Sequence, residues 1–112
     1  MNYKIELTSN FKKEAKKLTK KYSSLKVELS ELFDLLEVNP TLGIHLGNDI
    51  YKIRLAIASK GKGKSGGARV MTYVKLIDET VYLFSIYNKG NKDNMTDNEA
   101  EELINQHFKN KE

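Results

Sequence analysis

The sequence predicts an α+β fold: an antiparallel β-sheet with an N-terminal helical hairpin packed on one face and a C-terminal helix, in the order β-α-α-β-β-β-α. Three observations predict it. Two apolar stripes with helical spacing follow one another between residues 11 and 38. Three strand-like segments then run from Tyr51 to Tyr87, separated by loop and turn sequence. Finally, Thr96-Asp97-Asn98-Glu99 has the form of a capping box and opens a last helix.

Each element has its own signal. Residues 3–8 (YKIELT) alternate and read as a short first strand. Ser9 or Asn10 caps a helix from about Phe11 to Lys21, with Phe11, Ala15, Leu18 and Tyr22 on one face. Its other face is lysine, at positions 12, 13, 16, 17, 20 and 21. Leu25, Leu29, Leu32, Phe33 and Leu36 mark a second helix over 24–38, stopped by Asn39-Pro40. The short connection makes the two an antiparallel hairpin.

Residues 41–49, with two glycines, read as a loop. Tyr51–Ala58, Ala68–Leu76 and Val81–Tyr87 then form a meander, the last two joined by a tight turn at Asp78-Glu79. Strand alternation sorts the faces. Ile53, Leu55, Ile57, Val70, Thr72, Val74, Tyr82, Phe84 and Ile86 are expected to meet the helices. Lys52, Arg54, Arg69, Met71, Tyr73, Ser85 and Tyr87 collect on the opposite face, cationic and aromatic. Ala100, Leu103, Ile104 and Phe108 (or His107) form the apolar stripe of the last helix.

Composition narrows the function. A chain of 112 residues argues for one domain. There is no cysteine, which excludes disulfides, thiolate zinc sites and a cysteine nucleophile. No apolar run has the length of a membrane span, and MNYKIELTSN lacks the apolar core of a signal peptide, so a cytoplasmic protein is expected. The net charge is only +4, so its distribution matters more than its sum. Acids gather late, at Asp93, Asp97, Glu99, Glu101, Glu102 and Glu112.

Cations gather in Lys52–Lys75, KIRLAIASKGKGKSGGARVMTYVK. Lysines 52, 60, 62, 64 and 75 join Arg54 and Arg69, and no acid occurs between Asp49 and Asp78. Such a strand–loop–strand unit suits an anionic partner. Gly63-Lys64-Ser65 resembles the end of a phosphate-binding P-loop, but Ala58 stands where that motif needs glycine, and a strand follows instead of a helix. A solvated hairpin loop is the plain alternative. Arg54, Arg69, Tyr73 and Tyr87 are candidates for RNA contact, because arginine forks onto phosphate and tyrosine stacks on bases. Against this, tyrosine is also favoured in strands for packing alone. The lysine face of the first helix reads as a solvated face, with docking on ribosomal RNA as the alternative. His45 and His107 lie far apart and have no ligand-spaced partners, so neither a metal site nor a His–His pair is expected.

The segment KIRLAIASKGKGKSGGARVMTYV, followed by VYLFSIYNKGNKDNMT and a terminal helix, resembles the RelE/HigB-type toxins of bacterial type II toxin–antitoxin systems. The resemblance covers about Ile50 to Ile104; the N-terminal hairpin matches in order and length only. It implies a RelE-like fold and a ribosome-dependent endoribonuclease that cleaves mRNA in the A site and inhibits translation. It further implies catalysis without metal or cofactor, mRNA on the 70S ribosome as substrate, and a cognate antitoxin, with a toxin–antitoxin hetero-oligomer and no membrane partner. The catalytic residues it implies are Arg54 and Arg69 on the scissile phosphate, Lys62 or Lys64 as base or charge stabiliser, and Tyr87 orienting base or hydroxyl. Lys52, Lys60, Tyr73, Lys89 and Lys92 are the implied RNA-binding residues. This chain has Tyr87-Asn88-Lys89 where some members place a histidine near the late aromatic. Two other classes share the architecture: a ParE-like inhibitor that binds DNA gyrase, and an RNA-binding module without catalysis.

Overall fold

The computed structural model describes residues 2–60, 66–90 and 94–111. The chain runs β1 (Lys4–Leu7), α1 (Ser9–Lys21), α2 (Leu25–Val38), β2 (Ile44–Gly47), β3 (Ile50–Leu55), β4 (Ala68–Lys75), β5 (Thr80–Asn88) and α3 (Asp97–Lys111). Short 3-10 turns at Ala58–Lys60 and Leu76–Asp78 follow β3 and β4. The α+β class and the element order hold, with one strand more than the sequence suggested. The five strands lie in the order β1-β5-β4-β3-β2. All neighbours are antiparallel except β1, which pairs in parallel with β5 from Lys4↔Thr80 to Leu7↔Leu83.

The extra strand is β2, inside the segment expected to be a loop. It folds back on β3 through Asn48 and Asp49, both with positive φ (51° and 64°), a conformation these short polar residues tolerate. Its glycines hid it: Gly43 and Gly47 take φ of 104° and 93° at either end of a four-residue strand. The cap of α1 is Thr8, not Ser9 or Asn10. Its hydroxyl accepts from the Phe11 N–H at 3.1 Å, so the helix begins as soon as β1 ends.

The helical hairpin covers one face of the sheet. Phe11, Leu25, Leu29, Leu32 and Leu36 are buried there against Ile53, Ile57, Val70, Val74, Val81, Leu83 and Ile86. The other face is covered too. Ala100 and Ile104 of α3 are buried with Ile50, Met71, Phe84 and Tyr87, and Tyr73, Leu103 and Phe108 pack alongside. The expected open cationic face is therefore largely closed by α3. Two large apolar surfaces cannot both stay wet, and each buried side chain of this size contributes about 1.5–3 kcal/mol.

The face assignment of β5 also needs correction. Tyr82 and Phe84 were expected with Ile86 on the hairpin side; Phe84 lies instead in the α3 cluster, and the Tyr82 ring meets His107 and Phe108 of α3. The cause is a β-bulge. Thr72 pairs with Leu83 while Met71 pairs with Ser85, so Phe84 is an inserted residue and parity inverts across it. Strict alternation read from one end of such a strand fails at the other.

The same place marks where β1 stops. Beyond Leu83, α1 satisfies the free edge of β5. The Thr8 N–H donates to the Leu83 carbonyl at 3.1 Å, and Asn10 Nδ2 to the Phe84 carbonyl at 3.0 Å. Glu14 Oε1 accepts from Ser85 Oγ at 2.7 Å and from the Ile86 N–H at 3.2 Å. A single acid on the lysine-rich helix thus acts as a substitute strand edge. Because Phe84 is fully buried, Phe84→Ala is expected to lower the unfolding free energy by about 3–5 kcal/mol in urea titration. Val27→Ala, on the exposed side of α2, should stay within about 0.5 kcal/mol.

Candidate nucleic-acid interface

The register places three of the sequence-selected residues in one line. Arg54 of β3 pairs with Arg69 of β4, and Arg69 pairs with Tyr87 of β5. Directly opposed residues share a face, with Cβ atoms about 4.5–5.5 Å apart. Two guanidiniums and a phenol therefore stand side by side across three strands, at the end of the sheet where β5 runs out. Like charges opposed in a ladder repel, and an anion between them offsets that cost. Arg54 is exposed and Arg69 is only 4% exposed, its Nη1 donating to the Ala68 carbonyl at 3.3 Å. One arginine is thus free to follow a ligand while the other is held in place.

The residues that border the glycine/lysine segment meet at this end of the sheet. Lys60 Nζ donates to Asn88 Oδ1, as does the Gly90 N–H at 3.0 Å. The Lys89 N–H donates to the Gly67 carbonyl at 3.0 Å. On the near side, Glu28 Oε2 accepts from the Ala58 N–H at 2.7 Å, and Ser24 and Ser59 join through their hydroxyls at 2.9 Å. A Cβ at Gly67 would run into the Leu55 carbonyl, so β3 and β4 close here only with glycine. The chain therefore leaves for residues 61–65, and returns, beside the arginine row.

This architecture has known counterparts. The family model for the RelE toxin of the RelE/RelB toxin–antitoxin system matches residues 3–108. The chain belongs to the RelE toxin family. Solved structures of the E. coli RelE toxin share its fold. A free-state structure of a RelE double mutant aligns with a TM-score of 0.61 at 20% identity, covering 98% of each chain. The isolated E. coli RelE toxin aligns with a TM-score of 0.60 at 19% identity, over 92% of this chain and 97% of that one.

The remaining candidates of this RelE family member divide by position. Lys52 lies one row further along the same face, paired with Met71, and its Nζ donates to Asn94 Oδ1 at 3.1 Å. Tyr73 lies two rows from the arginines, and its ring is engaged by Tyr82 (6.1 Å between centres) and Phe108 (6.0 Å). Stacking a base on Tyr73 would require α3 to move away. Tyr87 is 7% exposed in the same cluster, so it forms the floor of the row. Lys60 and Lys89 flank the end of the sheet, while Lys62, Lys64 and Lys92 lie outside the described residues.

Two residues here carry no motif signal. Tyr22 reads from the sequence as the last member of an apolar helical stripe, and Asn88 follows the last predicted strand with no role assigned to it. The structure joins them: Asn88 Nδ2 donates to the Tyr22 hydroxyl at 2.9 Å. Desolvation pushes the Tyr22 phenol up, but the Asn88 hydrogen bond and the Lys21 and Lys60 ammoniums outweigh it. The phenol is left below its ordinary 10.0.

The histidines sit at opposite edges of the sheet. His45 on β2 stacks on Tyr51 with ring centres 4.8 Å apart. His107 on α3 meets Glu6 of β1 at 3.0 Å and packs edge-on to Tyr82 and Phe108. His107 therefore fastens α3 over the sheet. Its replacement by alanine is expected to speed hydrogen exchange of the α3 amides about 5–30-fold, the effect of one or two kcal/mol. Protection in β4 should be unchanged in the same experiment.

Proposed function

We propose that this RelE family toxin is a ribosome-dependent endoribonuclease that cleaves mRNA in the A site. The Arg54–Arg69–Tyr87 row carries the reading, supported by family membership. In such a cleavage the substrate's own 2′-hydroxyl attacks the adjacent phosphorus and the 5′-oxygen departs. The protein must take up the first proton, stabilise charge on the phosphorane and return a proton to the leaving oxygen. Paired guanidiniums suit the middle task, because their fixed forks match phosphate oxygens two at a time. Arg69, held by its burial, sets the position of the phosphate; Arg54, exposed, closes on it.

Lys62 or Lys64 supplies the base or further positive charge. A lysine works as a base near neutral pH only where neighbouring cations lower its proton affinity, and Lys52–Lys75 is rich in them. Tyr87, next to Arg69, orients that guanidinium or the reacting hydroxyl, with Lys89 beside it. The ribosome contributes by presenting a single strand of mRNA in one geometry, which removes much of the entropic barrier. The cognate partner is an antitoxin that covers the cations left exposed at this end of the sheet with an acidic segment, or docks beside the sheet and displaces α3.

Primer extension on a defined mRNA, with and without ribosomes, tests the reading. Arg54→Ala leaves the buried clusters intact and is expected to cut about 10²–10³-fold more slowly, the loss seen when one charge-stabilising donor is removed. Arg69→Lys keeps the charge but loses the fork, and should also be slowed. Cuts that do not need the ribosome, or an Arg54→Ala variant as fast as wild type, would overturn the assignment. Inhibition of gyrase supercoiling without RNA cleavage would point to the ParE-like class.

A further inference from the structure

The arginine row ends at Tyr87; the next residue, Asn88, points to the opposite face of the same sheet end. Asn88 is 6% exposed and uses both ends of its amide. Its Oδ1 accepts from Lys60 Nζ and from the Gly90 N–H, and its Nδ2 donates to the Tyr22 hydroxyl. Tyr22 is the C-cap of α1, so Lys21 comes with it. Lys21 Nζ and Lys60 Nζ stand 5.4 and 5.6 Å from the centre of the Tyr22 ring. Among the described residues, neither ammonium has a carboxylate partner and the Tyr22 O–H has no acceptor. A buried amide thus holds one ammonium and the phenol, and a second ammonium stands by the same ring, with no carboxylate paired to either among the described residues.

We propose that Lys21, Tyr22 and Lys60 form a second phosphate subsite, taking a backbone phosphate of the RNA strand that flanks the one held by Arg54 and Arg69. This rests on the reading of the arginine row as an RNA site. The strand passes over the end of the sheet, from the Tyr87 face to the Asn88 face. Asn88 is a positioning residue: it touches no RNA, but it fixes where Lys60 and the phenol stand. The phenol oxygen, already accepting from Asn88, donates its own hydrogen to the phosphate, and the two ammoniums flank it. The lysine field that makes this phenol more acidic is the same field that an incoming phosphate would neutralise.

The test uses a single-stranded 2′-O-methyl hexanucleotide, which binds but has no free 2′-hydroxyl to attack. Its affinity is measured across a salt series for wild type, Lys60→Met and Tyr22→Phe. Lys60→Met is expected to reduce the slope of log K against log salt by about 0.7, the value for one lost contact to a single strand. Tyr22→Phe should weaken binding with little change of slope. In parallel, the ring carbon signal of labelled Tyr22 is titrated with pH. Its midpoint should rise when the hexanucleotide binds and move little with equimolar inorganic phosphate, which separates strand recognition from simple anion capture. A packing role for Tyr22 would not produce that rise. An unchanged midpoint in the complex, an unchanged slope in Lys60→Met, or no binding of the hexanucleotide would each overturn the subsite. Ribosome-dependent cleavage scored on the same proteins separates the two ideas. Cleavage with a fixed midpoint sinks the subsite alone; a moving midpoint without cleavage sinks the nuclease and leaves the subsite standing.

Discussion

All nine residues of β5 are buried, and that constraint organises the rest of the molecule. A strand covered on both faces and both edges needs four neighbours. The helical hairpin and α3 take the faces, and β4 takes one edge. The other edge is shared between β1, up to Leu83, and the start of α1 beyond it. The bulge at Phe84 falls at this handover. There the strand changes neighbour and turns its parity, so that Tyr87 joins Arg69 on the α3 face and Asn88 meets Tyr22 on the other. Without that one-residue insertion, the residues after it would face the wrong sides.

Much of this was legible in the sequence, for physical reasons. Helical stripes announce themselves because Leu25, Leu29, Leu32 and Leu36 recur on one side of α2, with nothing else that spacing could serve. The Thr96–Glu99 box was readable because capping is local chemistry; the Glu99 N–H donates to Thr96 Oγ1 at 3.2 Å as the pattern requires. β3 and β4 were readable from their composition. Two of the failures depend on partners distant in sequence, and β2 is the exception, a local hairpin with β3 hidden by its terminal glycines. The bulge at Phe84 falls where β1 ends, and neither is visible from β5 alone. The closure of the cationic face depends on α3 crossing it, and an amphipathic helix does not declare which surface it will cover.

The candidate site was legible as a set of residue types but not as a geometry. A count of cations between Asp49 and Asp78 could single out Arg54 and Arg69. It could not say that they are direct cross-strand partners, or that one is exposed and the other held. Tyr22 and Asn88 escaped notice because each has an ordinary local explanation. Their contact spans 66 positions in sequence, and only the shared end of α1 and β5 brings it about. Tyr73, in contrast, had the right residue type and face, but its ring serves the packing of α3.

The pinning of the chain on either side of residues 61–65 has a consequence for changes of length there. Ala58 and Ser59 are fastened to α2, and Gly67 is fastened to Lys89 and pressed against β3. None of these attachments uses the intervening residues. The anchors on either side hold the ends of β3 and β4, and with them the arginine row, in register. Lengthening a loop whose ends are already fixed adds little to its closure cost. A change of length between these two anchors therefore leaves the surrounding fold its attachments.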